Sequence, residues 1–166
     1  MSINFTENIK AAVDNLHKRG AFLTVIDGDK VNTMTIGWGA IGYQWNRPIF
    51  TVLVRESRYT YELIEKASEF TVSIPLNDDL KAALAFCGSK SGRDYDKFKE
   101  CNLTLEPGKT TSTPIIGNCE LQFECKIVYK EAINPELLSD EVKNASYKNG
   151  DYHTTYYGEI VDCYIK

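Results

Sequence analysis

Apolar residues at helical spacing open the chain. Between residues 9 and 16 they recur every three or four positions, which predicts the buried side of an amphipathic helix. Asn4 and Thr6 precede this segment as start signals, and Gly20 follows it as a stop signal. We therefore expect a short helix that ends near Gly20.

From residue 21 onward the pattern changes to that of strands, in which side chains alternate between two faces. Two such segments flank Gly28-Asp29, which predicts a hairpin. The segments that we predict as strands are AFLTVID (21–27), VNTMTIG (31–37), PIFTVLVR (48–55), EFTVSIP (69–75), CELQFECKIVYK (119–130) and HTTYYGEIVDCYI (153–165).

The segment 119–130 has the most regular alternation in the chain. Its apolar residues run from Cys119 to Tyr129 on one parity, and its polar residues, including Gln122 and Glu124, occupy the other. The pattern predicts a strand with one face in the core and the other in solvent.

Three further segments have helical patterns, at 60–67, 77–88 and 134–144. We expect Asn77 to cap the second and Gly88 to end it. In the third, Asn134 is the expected cap and Pro135 the first helical residue. The polar segment SKSGRDYDKF (89–98) is predicted to be an exposed loop that runs into a turn of helix.

Strands therefore dominate, most follow one another as hairpins, and the helices are few and peripheral. These features favour an antiparallel barrel or sandwich. A doubly wound α/β sheet would require helices between the strands that the pattern does not predict.

The composition suits a single domain with a sizeable core. The chain has 166 residues, of which 43% are hydrophobic and 11% aromatic, so we expect one domain over 1–166 with a helical excursion near 131–151. A net charge of -4 without a basic run argues against nucleic-acid and anionic-membrane partners. No segment is apolar for long enough to span a bilayer and no leader pattern is present, so we expect a cytoplasmic protein.

The five cysteines do not form a pattern typical of disulfide or metal frameworks. Their number is odd, they contain no C-x-x-C, and only two histidines, His17 and His153, could join them on a metal. We expect no metal site. Cys119 and Cys125 share a parity with apolar neighbours and are interpreted as small buried residues in a reducing compartment.

Residues 37–42, GWGAIG, match the dinucleotide-binding pattern G-x-G-x-x-G. That pattern works only where a strand turns into a helix whose N-terminus holds a pyrophosphate. Here Pro48 and a β-branched run follow, which leaves no room for a helix. Two interpretations remain: the glycines let a ligand approach the backbone, or they form a bulged edge around an ordinary core tryptophan, Trp38.

Five blocks in order resemble the flavin reductase-like proteins, which include the flavoredoxins. They are VNTMTIGWG (31–39), VRESRYTYELI (54–64), EFTVSIP (69–75), SGRDYDKF (91–98) and HTTYYGEI (153–160). The resemblance extends from about Phe22 to Tyr164. It implies a mainly β fold, a six-stranded antiparallel Greek-key split β-barrel with a few peripheral helices, and a homodimer that binds one FMN per subunit near its interface.

The resemblance also implies the residues that contact FMN. The first block would place its residues around the isoalloxazine ring, with the Thr35 hydroxyl near the N5 and O4 edge, where a donor stabilises the reduced flavin. The second block would contact the ribityl phosphate, although these residues taken without the other blocks favour a capped helix with a solvated arginine. The implied contacts of these two blocks are Asn32, Thr33, Met34, Thr35, Trp38, Arg55, Ser57, Tyr59 and Thr60.

The last two implied contact regions are a loop and a histidine. Ser91, Gly92, Arg93 and Lys97 would form a loop over the cofactor, with Lys97 in direct contact with FMN. His153 would lie near the flavin face where substrate binds, and the resemblance makes Thr35 and His153 the candidate catalytic residues. Taken alone, a single histidine more often has a structural role.

Three functions follow from the resemblance as alternatives. The first is an oxidoreductase that passes electrons from NADH or NADPH through bound FMN to free flavin or a redox partner. The second is an FMN electron carrier of the flavoredoxin type without its own nicotinamide activity, and the third is a flavin-binding regulator. Longer family members continue past the final strand, so we expect no contact here from a C-terminal extension.

We also expect the strand 31–37 to bend after its polar residues. Asn32, Thr35 and Trp38 are three positions apart, and a flat strand of period two cannot place all three on one face. Gly37 and Gly39 are well placed for a bend or bulge.

Overall fold

The computed structural model describes residues 3–166, which form nine strands, five α-helices and one 3₁₀ turn. The helices are α1 (Ile9–Lys18), α2 (Tyr59–Ile64), α3 (Lys81–Ser89), α4 (Lys97–Glu100) and α5 (Asp140–Ser146), and the 3₁₀ turn is Pro135–Leu137. The strands are β1 (Ala21–Asp27), β2 (Lys30–Ile36), β3 (Gly39–Gln44), β4 (Arg47–Arg55), β5 (Glu69–Ile74), β6 (Leu105–Glu106), β7 (Ile115–Ile116), β8 (Leu121–Ala132) and β9 (His153–Ile165).

Seven of the strands form one antiparallel sheet in the order β2-β1-β5-β8-β9-β4-β3, and β6 pairs with β7. The two edge strands, β2 and β3, are joined only by Gly37 and Trp38. This link cannot span more than ~11 Å, whereas the edges of a flat seven-stranded sheet would be ~29 Å apart.

The sheet must therefore curl until its edges approach each other. No pairing joins β2 to β3 within residues 3–166, so the barrel stays open along that seam. The predicted antiparallel split barrel is confirmed, with seven strands in the main sheet instead of six.

The additional strand is β3, which pairs with β4 from Gly39↔Val52 to Gln44↔Arg47. Trp45 and Asn46 connect the two strands with φ of 51° and 58°, the left-handed conformation that both residues of a type I′ hairpin adopt. The predicted β1–β2 hairpin is confirmed, with Asp27 paired to Lys30 around Gly28-Asp29.

The barrel interior is filled by apolar side chains from every strand of the main sheet and from α1. Phe50 and Phe123 meet edge to face at the centre, with ring centroids 5.1 Å apart. Ala12 and Leu16 of α1 are buried against this core, and the helix ends before Gly20 as predicted. None of the helices within residues 3–166 is both long enough and apolar enough to cross a membrane.

The prediction for the polar face of β8 is wrong in its first half. Gln122 and Glu124 are fully buried, because the segment 105–116 covers that face. The Gln122 amide donates to the carbonyls of Ile116 and Cys119 at 3.0 and 2.9 Å. Cys119 and Cys125 are buried, as predicted.

Two of the predicted helices differ from the structure in their bounds. Asn77 accepts a hydrogen bond from the backbone of Asp79 in a turn, while α3 begins at Lys81 and runs past Gly88 to Ser89. The predicted helix 134–144 is divided in two: Asn134 caps only the 3₁₀ turn, and Ser139 caps α5 separately.

Candidate functional site

Two adjoining cavities lie where β2, β4, the start of α2 and the 89–97 loop meet. Their volumes are about 230 and about 190 Å³, and Met34, Arg55 and Arg58 line both. The cavities are therefore adjacent, and we call the pair the groove. Each alone is smaller than ~300 Å³, the lower end for small-molecule pockets, so a cofactor-sized ligand would extend through both.

The groove gathers nearly all of the residues that the sequence singled out. The first cavity is lined by Asn32, Met34, Arg55, Ser57, Tyr59, Thr60, Ser91, Gly92, Arg93 and Lys97. The second is lined by Met34, Thr35, Trp38, Arg55 and His153. Thr33 is the exception: it is fully buried, and its hydroxyl donates to the Leu23 carbonyl across the β1–β2 hairpin at 3.1 Å.

Asn32 lines the first cavity, and contacts on both sides hold its side-chain amide in one orientation. It is almost fully buried, and its amide nitrogen donates to the Thr60 hydroxyl at 2.8 Å. On its other side Gly92 approaches so closely that a β-carbon there would overlap the Asn32 Oδ1 atom. This contact requires glycine at position 92 and ties the 89–97 loop to β2.

Arg55 and Arg58 are held by backbone carbonyls. Arg55 donates to the carbonyls of Asp151 and Ser146 at 2.7 and 3.1 Å, and Arg58 donates to that of Gly88 at 2.7 Å. Neither guanidinium forms an ion pair with a carboxylate in the described chain. Their positive charge is therefore oriented in the groove without a partner, an arrangement that favours an anionic ligand.

Arg58 was missed by sequence reasoning. It lies inside the block VRESRYTYELI, but nothing in the pattern separates it from a solvated arginine. Its neighbour Arg93 differs, since it pairs with the Glu62 carboxylate and lies 5.4 Å from the Tyr59 ring centroid.

Asp151 is the one acidic residue that lines either cavity within residues 3–166. Its carboxylate accepts hydrogen bonds from the Ser57 backbone nitrogen and hydroxyl, at 3.2 and 2.7 Å. Asp151 has a φ of 54°, a conformation that aspartate tolerates better than most residues. The segment before β9 thus supplies one carboxylate to an otherwise cationic cavity.

Lys97 is nearly fully buried, with only 3% of its surface exposed. Its Nζ donates to the carbonyls of Thr33 and Cys87, at 2.9 and 3.0 Å. Burial lowers the pKa of Lys97, against the opposing effect of the Cys87 thiol. Two of its three N–H donors thus connect β2 to α3, which leaves one donor for a ligand.

Thr35 lies in the wall of the second cavity, but its hydroxyl proton is engaged. The hydroxyl donates to the Leu84 carbonyl of α3 at 2.6 Å. In this arrangement the oxygen can only accept a hydrogen bond from a ligand, so the donor role that the resemblance implied for this hydroxyl is not available.

Trp38 and His153 form the aromatic part of the second cavity. Their ring centroids are 5.1 Å apart at an interplanar angle of 47°. His153 is 8% exposed, and burial, with the nearby Arg55 as the next cause, lowers its pKa to about 4. The imidazole is therefore uncharged at neutral pH.

The glycine pattern at 37–42 does not form the dinucleotide-binding turn whose sequence it matches. Strand β3 continues through Gly42 and the next element is strand β4, so there is no strand-to-helix turn that could bind a dinucleotide. Gly37 and Trp38 instead separate β2 from β3, and a β-carbon at Gly39 would lie 2.6 Å from the Thr51 carbonyl oxygen. The expected bend is confirmed as a complete break between strands, which turns Trp38 toward the groove.

Comparisons with known proteins give a family match and several relatives. The family model of the flavin reductase like domain matches residues 15–166. An uncharacterised protein of Archaeoglobus fulgidus is 30% identical over 149 residues, covering 90% of this chain and 73% of that protein.

Two solved flavoredoxin structures are similar. That of Desulfovibrio vulgaris (Miyazaki F) has 26% identity and a TM-score of 0.69, covering 89% of this chain and 69% of the other. That of Methanosarcina acetivorans has 25% identity and a TM-score of 0.68, covering 89% and 68%. On the match over residues 15–166, this chain belongs to the flavin reductase like domain family.

Proposed function

We propose that the groove binds FMN, with the phosphate in the first cavity and the isoalloxazine ring in the second. The observation that carries this proposal is the distribution of charge. Lys90, Arg93 and Lys97 line only the first cavity, whereas Ile36, Trp38 and Leu53 line only the second. Arg55 and Arg58, which have no carboxylate partner in the described chain, line both. FMN has the matching division into an anionic phosphate and a flat, largely apolar ring.

The residues of the first cavity have the chemistry that a phosphate requires. Arg55 and Arg58 would supply charge-assisted hydrogen bonds, and the Ser57 and Ser91 hydroxyls would supply neutral ones. The carboxylate of Asp151 occupies the Ser57 donors in the present arrangement, so phosphate binding would require those donors to be shared or released.

The residues of the second cavity would contact the isoalloxazine ring. Met34 and Trp38 offer apolar surface, the uncharged His153 offers a hydrogen-bonding group, and the hydroxyl of Thr35 is held by α3. When bound, FMN would supply hydride acceptance from a reduced nicotinamide and onward delivery of the electrons. The proposed activity is therefore electron transfer from NADH or NADPH to free flavin or a redox partner.

A second candidate is an FMN electron carrier that is reduced by another protein. The similarity to two flavoredoxins, at 26% and 25% identity, favours it. The two candidates share the same cofactor site and differ only in whether a nicotinamide reacts directly.

One pair of measurements tests the proposal. The purified chain is first titrated with FMN, and saturable binding with a perturbed flavin spectrum is expected; no binding would contradict both candidates. The FMN complex is then mixed anaerobically with NADH or NADPH. Rapid loss of the oxidised flavin absorbance supports the reductase, whereas no loss with either nucleotide rejects it in favour of the carrier.

We further propose that the protein acts as a cytoplasmic homodimer. Exposed aromatic residues support self-association: Trp45 packs edge to face on Tyr129 and Tyr157, yet Trp45 and Tyr129 stay 55% and 44% exposed in the single chain. Exposed apolar patches of this kind often mark protein interfaces. Light scattering should give a dimer mass that Trp45→Asn lowers and the exposed control Val142→Asn does not; a monomeric wild-type chain would reject the dimer.

A further inference from the structure

Tyr147 connects the segment between β8 and β9 to His153. It is the C-terminal cap residue of α5 and is 5% exposed. Its hydroxyl lies 2.7 Å from Nδ1 of His153, and its ring meets the imidazole edge to face at 5.6 Å. The Arg55 guanidinium covers the same tyrosine ring at 5.2 Å. The hydroxyl is therefore held in place from several sides.

The position of the protons follows from the partners available. Burial raises the pKa of Tyr147 and lowers that of His153 to about 4, so both groups are uncharged at neutral pH. If the hydroxyl donates to Nδ1, its single proton is used and the imidazole proton resides on Nε2. If Nδ1–H donated instead, the hydroxyl proton would need a second acceptor, and residues 3–166 supply none.

The charged groups around His153 act on its protonation and do not replace this hydrogen bond. Arg55 and Arg58 disfavour the imidazolium, and Asp151 favours it, but no side chain other than Tyr147 bonds to the ring in the described chain. Nε2 has no hydrogen-bond partner among residues 3–166. It is also not fully buried, so a ligand can reach it. Because His153 lines the second cavity, Nε2 is the atom that the ring offers to a ligand.

We propose that Tyr147 is a positioning residue that fixes His153 as the Nε2–H tautomer, so that the second cavity presents a hydrogen-bond donor. The ligand group facing it must then be an acceptor, such as a carbonyl or carboxamide oxygen. Which ligand provides that oxygen rests on the proposed function: a flavin carbonyl or the carboxamide of a reduced nicotinamide has the required chemistry. His153 in this state does not act as a base through Nε2.

Nuclear magnetic resonance of the flavin-free chain tests the assignment directly. With ¹⁵N-labelled histidine only two rings are observed, His17 and His153, and His17→Asn assigns them. At pH 7 we expect protonated-type Nε2 and unprotonated-type Nδ1 shifts for His153. An Nδ1–H form in the wild-type chain would overturn the proposal without any variant.

Tyr147→Phe tests the cause. A net hydrogen bond favours one tautomer by about fivefold, and we expect the variant to lower the ratio of Nε2–H to Nδ1–H forms by that factor. The control is Tyr152→Phe, whose ring packs on Tyr147 at 4.9 Å without bonding to His153; it should leave the ratio unchanged. An unchanged ratio in Tyr147→Phe would reject the role of Tyr147.

An FMN titration of the same samples separates this inference from the proposed function. The expected tautomer in a chain that fails to bind FMN would contradict the proposed function alone. FMN binding by a chain whose His153 is in the Nδ1–H form would contradict the inference alone.

Discussion

Gly92 lies so close to Asn32 that any side chain at position 92 would displace the Asn32 amide oxygen. Gly92→Ala should push Asn32 away from Thr60 or the loop away from β2. We expect FMN affinity to fall by about tenfold and stability by about 1–3 kcal/mol, the range for overpacked sites. Fluorescence titration and urea unfolding measure the two effects.

The matched control is Gly42→Ala on β3, because a β-carbon there meets no atom within 4 Å. It should leave FMN affinity unchanged. If the two alanine variants bind FMN equally well, the Gly92–Asn32 contact does not shape the site.

Arg58→Gln should weaken FMN binding selectively. Its guanidinium lines both cavities and has no carboxylate partner. A hydrogen bond to a charged group contributes about 1.5–3 kcal/mol, so the dissociation constant for FMN should rise about 10- to 100-fold. Riboflavin lacks the phosphate and should bind the variant and the wild-type chain about equally.

The control for loss of positive charge is Lys66→Gln, since Lys66 is a largely exposed cation beside Asp27 and lines neither cavity. It should not change the FMN-to-riboflavin preference. A loss of riboflavin affinity equal to that of FMN would mean that Arg58 shapes the groove and does not bind the phosphate.

Strands β1, β2, β4, β5 and β9 match their predicted segments because those segments are rich in β-branched and aromatic residues. Strand β3 was missed because Gly39, Gly42 and Gln44 give it no apolar alternation. The burial of Gln122 was missed for a different reason. A polar residue looks the same in sequence whether water or a distant segment such as 105–116 satisfies its hydrogen bonds.

The site residues also divide into those that a local sequence pattern reveals and those that it does not. Local motifs located Asn32, Trp38 and His153 in the groove. Arg58 and Tyr147 were missed, because no sequence pattern links either residue to its partner. The partner of Arg58 is the Gly88 carbonyl, and that of Tyr147 is the His153 ring. Such pairings follow from the tertiary fold and leave no periodic signal in the chain.

Glu124→Gln should destabilise the fold by about 2–3 kcal/mol, the cost of disrupting hydrogen bonds to a buried charge. The carboxylate accepts from the backbone nitrogens of Lys109, Thr110 and Thr111 and from the Tyr164 hydroxyl. Burial acts to raise the pKa of Glu124, but these hydrogen bonds outweigh it and the net pKa is lowered. Its stabilisation is thus present above the unfolded-state pKa and is lost as pH falls through the folded-state value.

Urea unfolding at pH 7 measures the effect of Glu124→Gln. The exposed Glu131 of the same strand provides the control, and Glu131→Gln should change stability by less than ~0.5 kcal/mol. Equal effects of the two substitutions would show that the buried hydrogen bonds of Glu124 contribute no net stability.

His153 should make the protein less stable in mild acid. Its folded-state pKa of about 4 lies below the ordinary value of 6.5, so between these values the unfolded chain binds a proton that the folded chain does not. The free energy of unfolding should therefore fall by about 2 kcal/mol from pH 7.5 to 5 on account of this group. Urea unfolding at both pH values should show that His153→Gln removes this loss, whereas His17→Gln retains it. Equal pH dependence in His153→Gln and the wild-type chain would contradict the assignment, because the lowered pKa requires the buried imidazole beside Arg55.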